Sequence, residues 1–340
     1  MKNKYGFFLQ GALAAFGIFC ATACGTDKQD FETVDLGDPV LKIDAFSDST
    51  YFSQVSFLLE EGGDLYASDS KRGQVFRLDA RDLTLKKTYG RRGQGPQDIM
   101  WCWNFGISHD TLAVYDFMGD RVQLFDKNTG DYFASVNWLK KNLGVGSGGR
   151  APFVNGRAVL YSTRPGGVMV LVDLNDTTRH KAFGERCDFG SEKQTLMRNS
   201  RFTQENDKYI VTVLELLPVV EKYTKDGELI EKYDLSQVEI VKKVVDINAA
   251  KPKRSDVSYP IFGDAYLHGD RLYIMVSCWE GEKEDIEPAF QIVELDVADG
   301  IKPVKAYRLP SGNAYSALAA DDDYFYLSHN RECEILKFKK

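Results

Sequence analysis

The 340-residue chain is 43% hydrophobic and 27% charged, with 43 basic against 50 acidic residues and a net charge of −7. No basic block interrupts this mildly acidic balance, which excludes nucleic acid as the expected partner. Its six cysteines include no C-x-x-C pair and no zinc-type Cys/His pattern, so no metal site is expected.

The first element is a leader. Met1-Lys2-Asn3-Lys4 is a short basic start, and Phe7 to Cys20 is an apolar run broken only by Gln10. That run is short of the ~20 residues a spanning helix needs and ends in small residues, the layout of a secretory signal peptide over residues 1–23. Ala21-Thr22-Ala23-Cys24-Gly25 resembles the bacterial lipoprotein cleavage box. That resemblance implies export to the cell envelope, acylation of Cys24 and attachment to a membrane, at the periplasmic or the outer-membrane surface. Ala21-Thr22-Ala23 also makes an A-x-A site for ordinary signal peptidase. Residues 24–38 are expected to form the tether, and residues 39–340 one domain. The four remaining cysteines, Cys102, Cys187, Cys278 and Cys333, are read as free buried thiols, with two disulfides as the alternative in an exported chain.

The domain repeats one hairpin six times. A turn residue followed by a β-branched or aromatic run occurs as GDLYASD from Gly63, DTLAVYD from Asp110, GRAVLYS from Gly156, DKYIVTV from Asp207, DRLYIMV from Asp270 and DDYFYLS from Asp322. The anchors fall 47, 46, 51, 63 and 52 residues apart, the spacing of propeller blades. Each is followed by a second strand, among them QVFRLD at Gln74, RVQLFD at Arg121 and FQIVELD at Phe290. The chain stops after the third strand of the sixth unit, while Pro39–Phe46 precedes the first and has no other home. The predicted fold is therefore all-β, a six-bladed β-propeller. Its closing blade is shared between that N-terminal strand and the three C-terminal strands, which hides both edges. Two inserts, 234–256 and 280–288, are expected outside the ring.

Between the first and second units lies YGRRGQGPQD, Tyr89 to Asp98. It lacks the Lys-Ser/Thr and the following helix of a phosphate loop, and Pro96 and a strand follow instead. It reads as a blade-to-blade connector, with Gly90, Gly93 and Gly95 expected at positive φ. With Ile99 added, this segment resembles the G-x-x-G-x-G-P-x-E/D segment of the six-bladed, TolB-like and NHL-like propeller lipoproteins of Gram-negative bacteria. The stretch from Leu295 to Asn330 is similar to the TolB-like branch. The resemblance implies a six-bladed propeller, export and a lipid anchor. It transfers no catalytic residues.

Motif chemistry is sparse. His109, His180, His268 and His329 form no ligand pair, no G-x-S-x-G is present, and Asp321–Asp323 reads as a solvated turn. No cofactor, metal or catalytic residue is assigned, and the chain is read as a non-enzyme. In a propeller, the blade connectors and the loops between second and third strands share one face. That face would carry Lys71, Arg72, Asp116 and Asp120 together with the candidate ligand-binding residues Arg91, Arg92, Arg121, Arg164, Trp279 and Arg331. Arginine and tryptophan concentrate binding energy. The expectation is a binding or scaffold module for an envelope protein or a small acidic ligand. The alternative is a periplasmic hydrolase, lyase or lactonase using channel-facing carboxylates.

Overall fold

The structure, a computed structural model, describes residues 32–46, 50–146, 149–251, 257–280 and 287–340, with only the backbone described at 278–280 and 287–289. The expected signal peptide, residues 1–23, and Cys24 lie outside the described residues.

The chain enters as β1 (Glu32–Asp35) and β2 (Leu41–Ile43). Blade one is β3 (Val55–Glu61), β4 (Asp64–Asp69), β5 (Gln74–Asp79) and β6 (Leu85–Tyr89). Blade two is β7 (Cys102–Ser108), β8 (Thr111–Asp116), β9 (Arg121–Asp126) and β10 (Tyr132–Asn137). The short helix α1 (Leu139–Leu143) leads to blade three, β11 (Phe153–Val154), β12 (Arg157–Tyr161), β13 (Met169–Asp173) and β14 (His180–Phe183). Helix α2 (Glu192–Met197) precedes blade four, β15 (Arg201–Glu205), β16 (Tyr209–Leu214), β17 (Val219–Thr224) and β18 (Leu229–Asp234). Helix α3 (Glu239–Ala250) precedes blade five, β19 (Phe262–His268), β20 (Arg271–Glu280), β21 (Glu287–Asp296) and β22 (Lys302–Arg308). Blade six is β23 (Tyr315–Ala320), β24 (Tyr324–His329) and β25 (Glu334–Lys339).

These strands form six sheets, each an antiparallel meander with its first strand innermost. The six repeated hairpins of the sequence are the second strands β4, β8, β12, β16, β20 and β24 with the third strands that follow them. The predicted closure is present: β2 pairs antiparallel with β25, Leu41 opposite Lys337 and Ile43 opposite Ile335. The chain is thus an all-β, six-bladed propeller whose last blade combines the two ends of the domain.

Burial explains why the second strands were so legible. Every residue of β4 and of β16 is buried, because each blade packs a neighbour on both faces, whereas outer strands such as β18 alternate exposed and half-buried positions. The core is accordingly a series of layers between successive blades. Phe57, Tyr66, Tyr89, Phe105 and Phe125 fill the seam of blades one and two, and Val211, Val213, Phe262, Ile274 and Val293 that of blades four and five. Tight hairpins join first and second strands: Gly62-Gly63 and Asn155-Gly156 both take the paired positive φ that a two-residue turn of this hand requires.

Two expectations are corrected. Part of the predicted tether is a strand: β1 adds to the outer edge of blade five, parallel to β22, with Thr33 opposite Ala306. Leu36 is then buried among residues of blades one, five and six before the chain crosses to β2. The 234–256 insert, expected outside the ring, is not a free excursion. Asp234 caps a short 3-10 turn, and α3 buries Ile240, Val241 and Val244 against Ile261 and Phe262 at the rim of the ring. In the 280–288 insert, β20 and β21 simply run on as a long hairpin, pairing out to Glu280 and Glu287. Residues 252–256 and 281–286 lie outside the described residues.

Candidate functional site

The connectors between blades and the turns between second and third strands share one face. The connector after β6 is the first of them. Arg91 Nε meets Asp98 Oδ1 at 2.7 Å, and the Gly95 amide donates to Asp98 Oδ2 at 2.9 Å. The neighbouring Arg91 guanidinium, with that amide, holds the Asp98 carboxyl below the usual carboxylate range. Arg121 Nη2 donates to the Asp98 carbonyl at 2.7 Å and Gln123 Nε2 to the Pro96 carbonyl at 2.7 Å. Of the three connector glycines only Gly90 has positive φ, 69°. Gly93 and Gly95, expected there too, are needed for room. A Cβ on Gly93 would lie 2.2 Å from Asp98 Oδ2, and one on Gly95 2.8 Å from it. The loop therefore encloses its own carboxylate where a phosphate loop would enclose a ligand.

The candidate arginines are spread over this face. Arg91 is paired as above, and Arg92 Nη1 donates to the Lys71 carbonyl at 2.7 Å. Arg121 Nε contacts Asp116 Oδ2 at 3.1 Å, and Arg164 Nη2 donates to the Lys141 carbonyl at 2.6 Å. Arg72 stacks its guanidinium 4.7 Å from the Tyr51 ring centroid. Arg331 is exposed in the turn of blade six. Trp279 is in β20, with its side chain outside the described residues. The structure brings Arg91 and Arg121 together at Asp98, turns Arg92 to the Lys71 carbonyl, and leaves Arg164 and Arg331 on other blades.

The centre of the ring is held by two residues not predicted from sequence. Arg150, on the connector into blade three, reaches across the channel to Asp264 on β19. Nε donates to Oδ1 at 2.6 Å and Nη2 to Oδ2 at 2.5 Å. Arg150 Nη1 donates to the Leu58 carbonyl at 2.9 Å in blade one, and Nη2 also reaches the Leu318 carbonyl in blade six. Asp264 in turn accepts from the Leu318 and Ala265 amides at 2.8 and 2.9 Å. The Arg150 guanidinium carbon lies 4.2 Å from the Phe57 ring centroid. Both side chains are buried, yet nearly every polar atom is matched, which is the condition for a buried ion pair to be tolerated. This pair plugs the channel.

Above the plug, on the connector face, opens a cavity of about 460 Å³. Its wall follows from a repeated irregularity. The innermost strands of blades one, two, five and six all shift register after their first residue, at Val55/Phe57, Cys102/Asn104, Phe262/Asp264 and Tyr315/Ala317. The extra residues are Ser56, Trp103, Gly263 and Ser316, and all four line the cavity. Bulges re-aim side chains in this way beside binding sites. Ser200, Asn330, Phe202, Met197 and Glu215 complete it. Glu215, just past β16, has no cation within ion-pair distance among the described residues. Burial pushes its carboxyl pKa above the usual value, partly offset by a hydrogen bond with Ser200.

Below the plug a smaller cavity of about 180 Å³ is lined by Glu60, Glu61, Thr203 and Glu205. Glu61 pairs with Lys127 at 2.9 Å, and Glu205 with Arg157 at 3.2 Å and with Lys225. Among the described residues no group of three His, Cys, Asp or Glu side chains is placed to hold a metal ion. Cys102, Cys187 and Cys333 are free thiols, the first fully buried and the others half-buried. No helix among the described residues is long and apolar enough to cross a membrane.

No protein-family model matches the chain, and no curated protein matches it significantly. Solved structures do. A member of the DUF4221 family from Bacteroides vulgatus superposes with a TM-score of 0.62 at 12% identity, covering 89% of this chain and 97% of that one. A Bacteroides fragilis protein described as exported gives 0.56 at 12% identity, over 87% of each chain. The structure of U3-55K gives 0.53 at 7% identity, covering 89% of this chain and all of that one. At such identities the likeness is one of fold: this chain shares its β-propeller architecture with these Bacteroides proteins.

Proposed function

We propose that the chain is an exported binding module, held to a membrane through Cys24, that takes its ligand or partner at the channel mouth. The observation that carries this reading is the blind cavity above Arg150 and Asp264. Four inner strands bulge toward it, and its volume is that of small-ligand sites. A plugged channel favours capture over passage. The rim bearing Arg91, Arg92, Arg121, Arg164 and Arg331 surrounds the cavity on the same face and offers contacts to a larger envelope protein seated over it. The channel-facing carboxylates favour binding over hydrolysis. Asp264 is engaged by Arg150, Glu61 and Glu205 are paired below it, and Glu215, above it, has no ion-pair partner among the described residues. They do not converge on one point, as paired acid–base catalysis requires.

The test is a thermal-shift screen of small molecules against the wild-type chain and a Ser316→Phe variant, whose ring would fill the mouth. Compounds that raise the melting temperature of the wild type but not of the variant support the reading. Compounds that stabilise both equally would place binding elsewhere and overturn it.

A further inference from the structure

The mouth cavity has an uneven charge balance. Among the described residues three charged side chains line it: Arg150, Asp264 and Glu215. The first two cancel in the plug, and every nitrogen of Arg150 already donates, to Asp264, Leu58 or Leu318. Among the described residues an anion entering the mouth would find no free cation there and would face Glu215. The rest of the described polar lining is neutral: hydroxyls of Ser56, Ser200 and Ser316, and the amides of Gln54 and Asn330. Ser56 and Ser316 are tied back to Ser70 and Ser328 at 2.9 and 2.7 Å.

The aromatic lining is placed differently. Trp103 sits at the bulge of β7 and is 41% exposed, although it lies on an innermost strand whose other residues from Asn104 to Ile107 are buried. A carboxylate without a counter-ion among the described residues and an open indole facing one cavity have a common complement. Cations are attracted to both, by Coulomb energy strengthened where water is excluded and by the ring quadrupole.

We propose that the mouth binds an organic cation, an alkylammonium or guanidinium group, with Glu215 as its counter-ion and Trp103 as its aromatic wall. This rests on the mouth being the binding site, and it replaces the acidic ligand expected from the arginine-rich rim. The apolar stem of such a cation would lie along Phe202 and Met197.

The experiment compares three probes of one size, hexylammonium, hexanol and hexanoate, on the purified chain. The readout is the four tryptophan indole N–H resonances, with that of Trp103 assigned from Trp103→Phe. Hexylammonium is expected to move the Trp103 resonance and to bind about tenfold more tightly than hexanol, with hexanoate weakest. Glu215→Gln, checked for an unchanged melting temperature or a higher one, is expected to erase the preference. Equal binding of hexylammonium and hexanol, in both wild type and Glu215→Gln, would overturn the cation inference while leaving the mouth as the site. No movement of the Trp103 resonance with any probe would overturn both.

Discussion

Arg150 and Asp264, 114 residues apart in the chain, meet through two parallel hydrogen bonds at the axis of the ring. With the Leu58 and Leu318 carbonyls they join the inner strands of three blades to the connector of a fourth. The pair thus sets the depth of the mouth cavity and ties the blades together at their narrowest point.

Removing one partner leaves the other buried and unpaired. Asp264→Ala or Arg150→Ala is expected to cost about 3–5 kcal/mol, seen as a lower denaturant midpoint in equilibrium unfolding. The double variant Arg150→Met/Asp264→Leu is expected to lose less than either single variant, because no isolated charge remains. A double variant as unstable as the sum of the singles would show that the pair does not act as a unit.

Two turns of blade one test strain against crowding. Gly63 and Gly73 both have positive φ, 82° and 62°. A Cβ on Gly63 meets nothing within 4 Å, whereas one on Gly73 would lie 2.3 Å from the Ile99 carbonyl oxygen. Gly63→Ala is expected to cost about 1 kcal/mol of backbone strain. Gly73→Ala should cost several times as much, because backbone must also move. Matching melting temperatures for the two variants would contradict this.

Burial raises the Glu215 carboxyl pKa from its ordinary value of 4.5. The folded state therefore holds this proton more tightly than the unfolded chain does. The resulting stabilisation is complete below the unfolded value and lost as pH rises through the folded one. Glu215→Gln is expected to be more stable than wild type at neutral pH and to lose that advantage near pH 4. Glu60 is shifted in the same direction by burial, so the difference between the two proteins, followed by unfolding across pH, is the quantity to measure. A difference independent of pH would rule out the titration.

The free thiols should separate by rate. Cys102 is fully buried, and burial pushes its thiol well above the usual value, while Cys187 and Cys333 are half-buried. Alkylation of the native chain by iodoacetamide, read by peptide mass spectrometry, is expected to label Cys187 and Cys333 at least tenfold faster than Cys102, since the thiolate is the nucleophile. Denaturant should abolish the difference. Comparable native rates would mean that the seam between blades one and two opens readily.

The fold was legible where one physical constraint repeats. Second strands such as Asp64–Asp69 and Thr111–Asp116 are apolar on both faces because each blade is covered on both sides, and the near-constant interval between them reveals the ring. The strand Glu32–Asp35 carried no such mark: it is polar, largely exposed, and held mainly through backbone pairing with β22. The site was less legible for a related reason. Arg150 follows a run of glycines with nothing local to mark it, and its partner Asp264 belongs to another blade. Glu215, in a run of leucines, reads as an ordinary strand end. Only the bulges of the inner strands turn Trp103 and Ser316 toward one space, and a bulge leaves no motif in a single strand. Arg91, Arg92, Arg121 and Arg164, conspicuous by type, are engaged with neighbouring carboxylates and carbonyls that spacing could not reveal.

The strap made by β1 and β2 imposes an order of events. Asp35 meets Arg308 across 273 positions, and Leu41 lies opposite Lys337. A chain made from its amino terminus must carry these short segments unmated while five blades form, since their partners are among the last residues to emerge. Closure of this seam is the contact of longest sequence separation in the ring, and such contacts form slowly. Until it forms, blade six lacks its outer strand and β25 shows a bare edge, the kind of surface on which strands of separate chains pair. Completion of the circle thus depends on β25: a chain cut short before it has nothing to offer β2 and keeps an open ring.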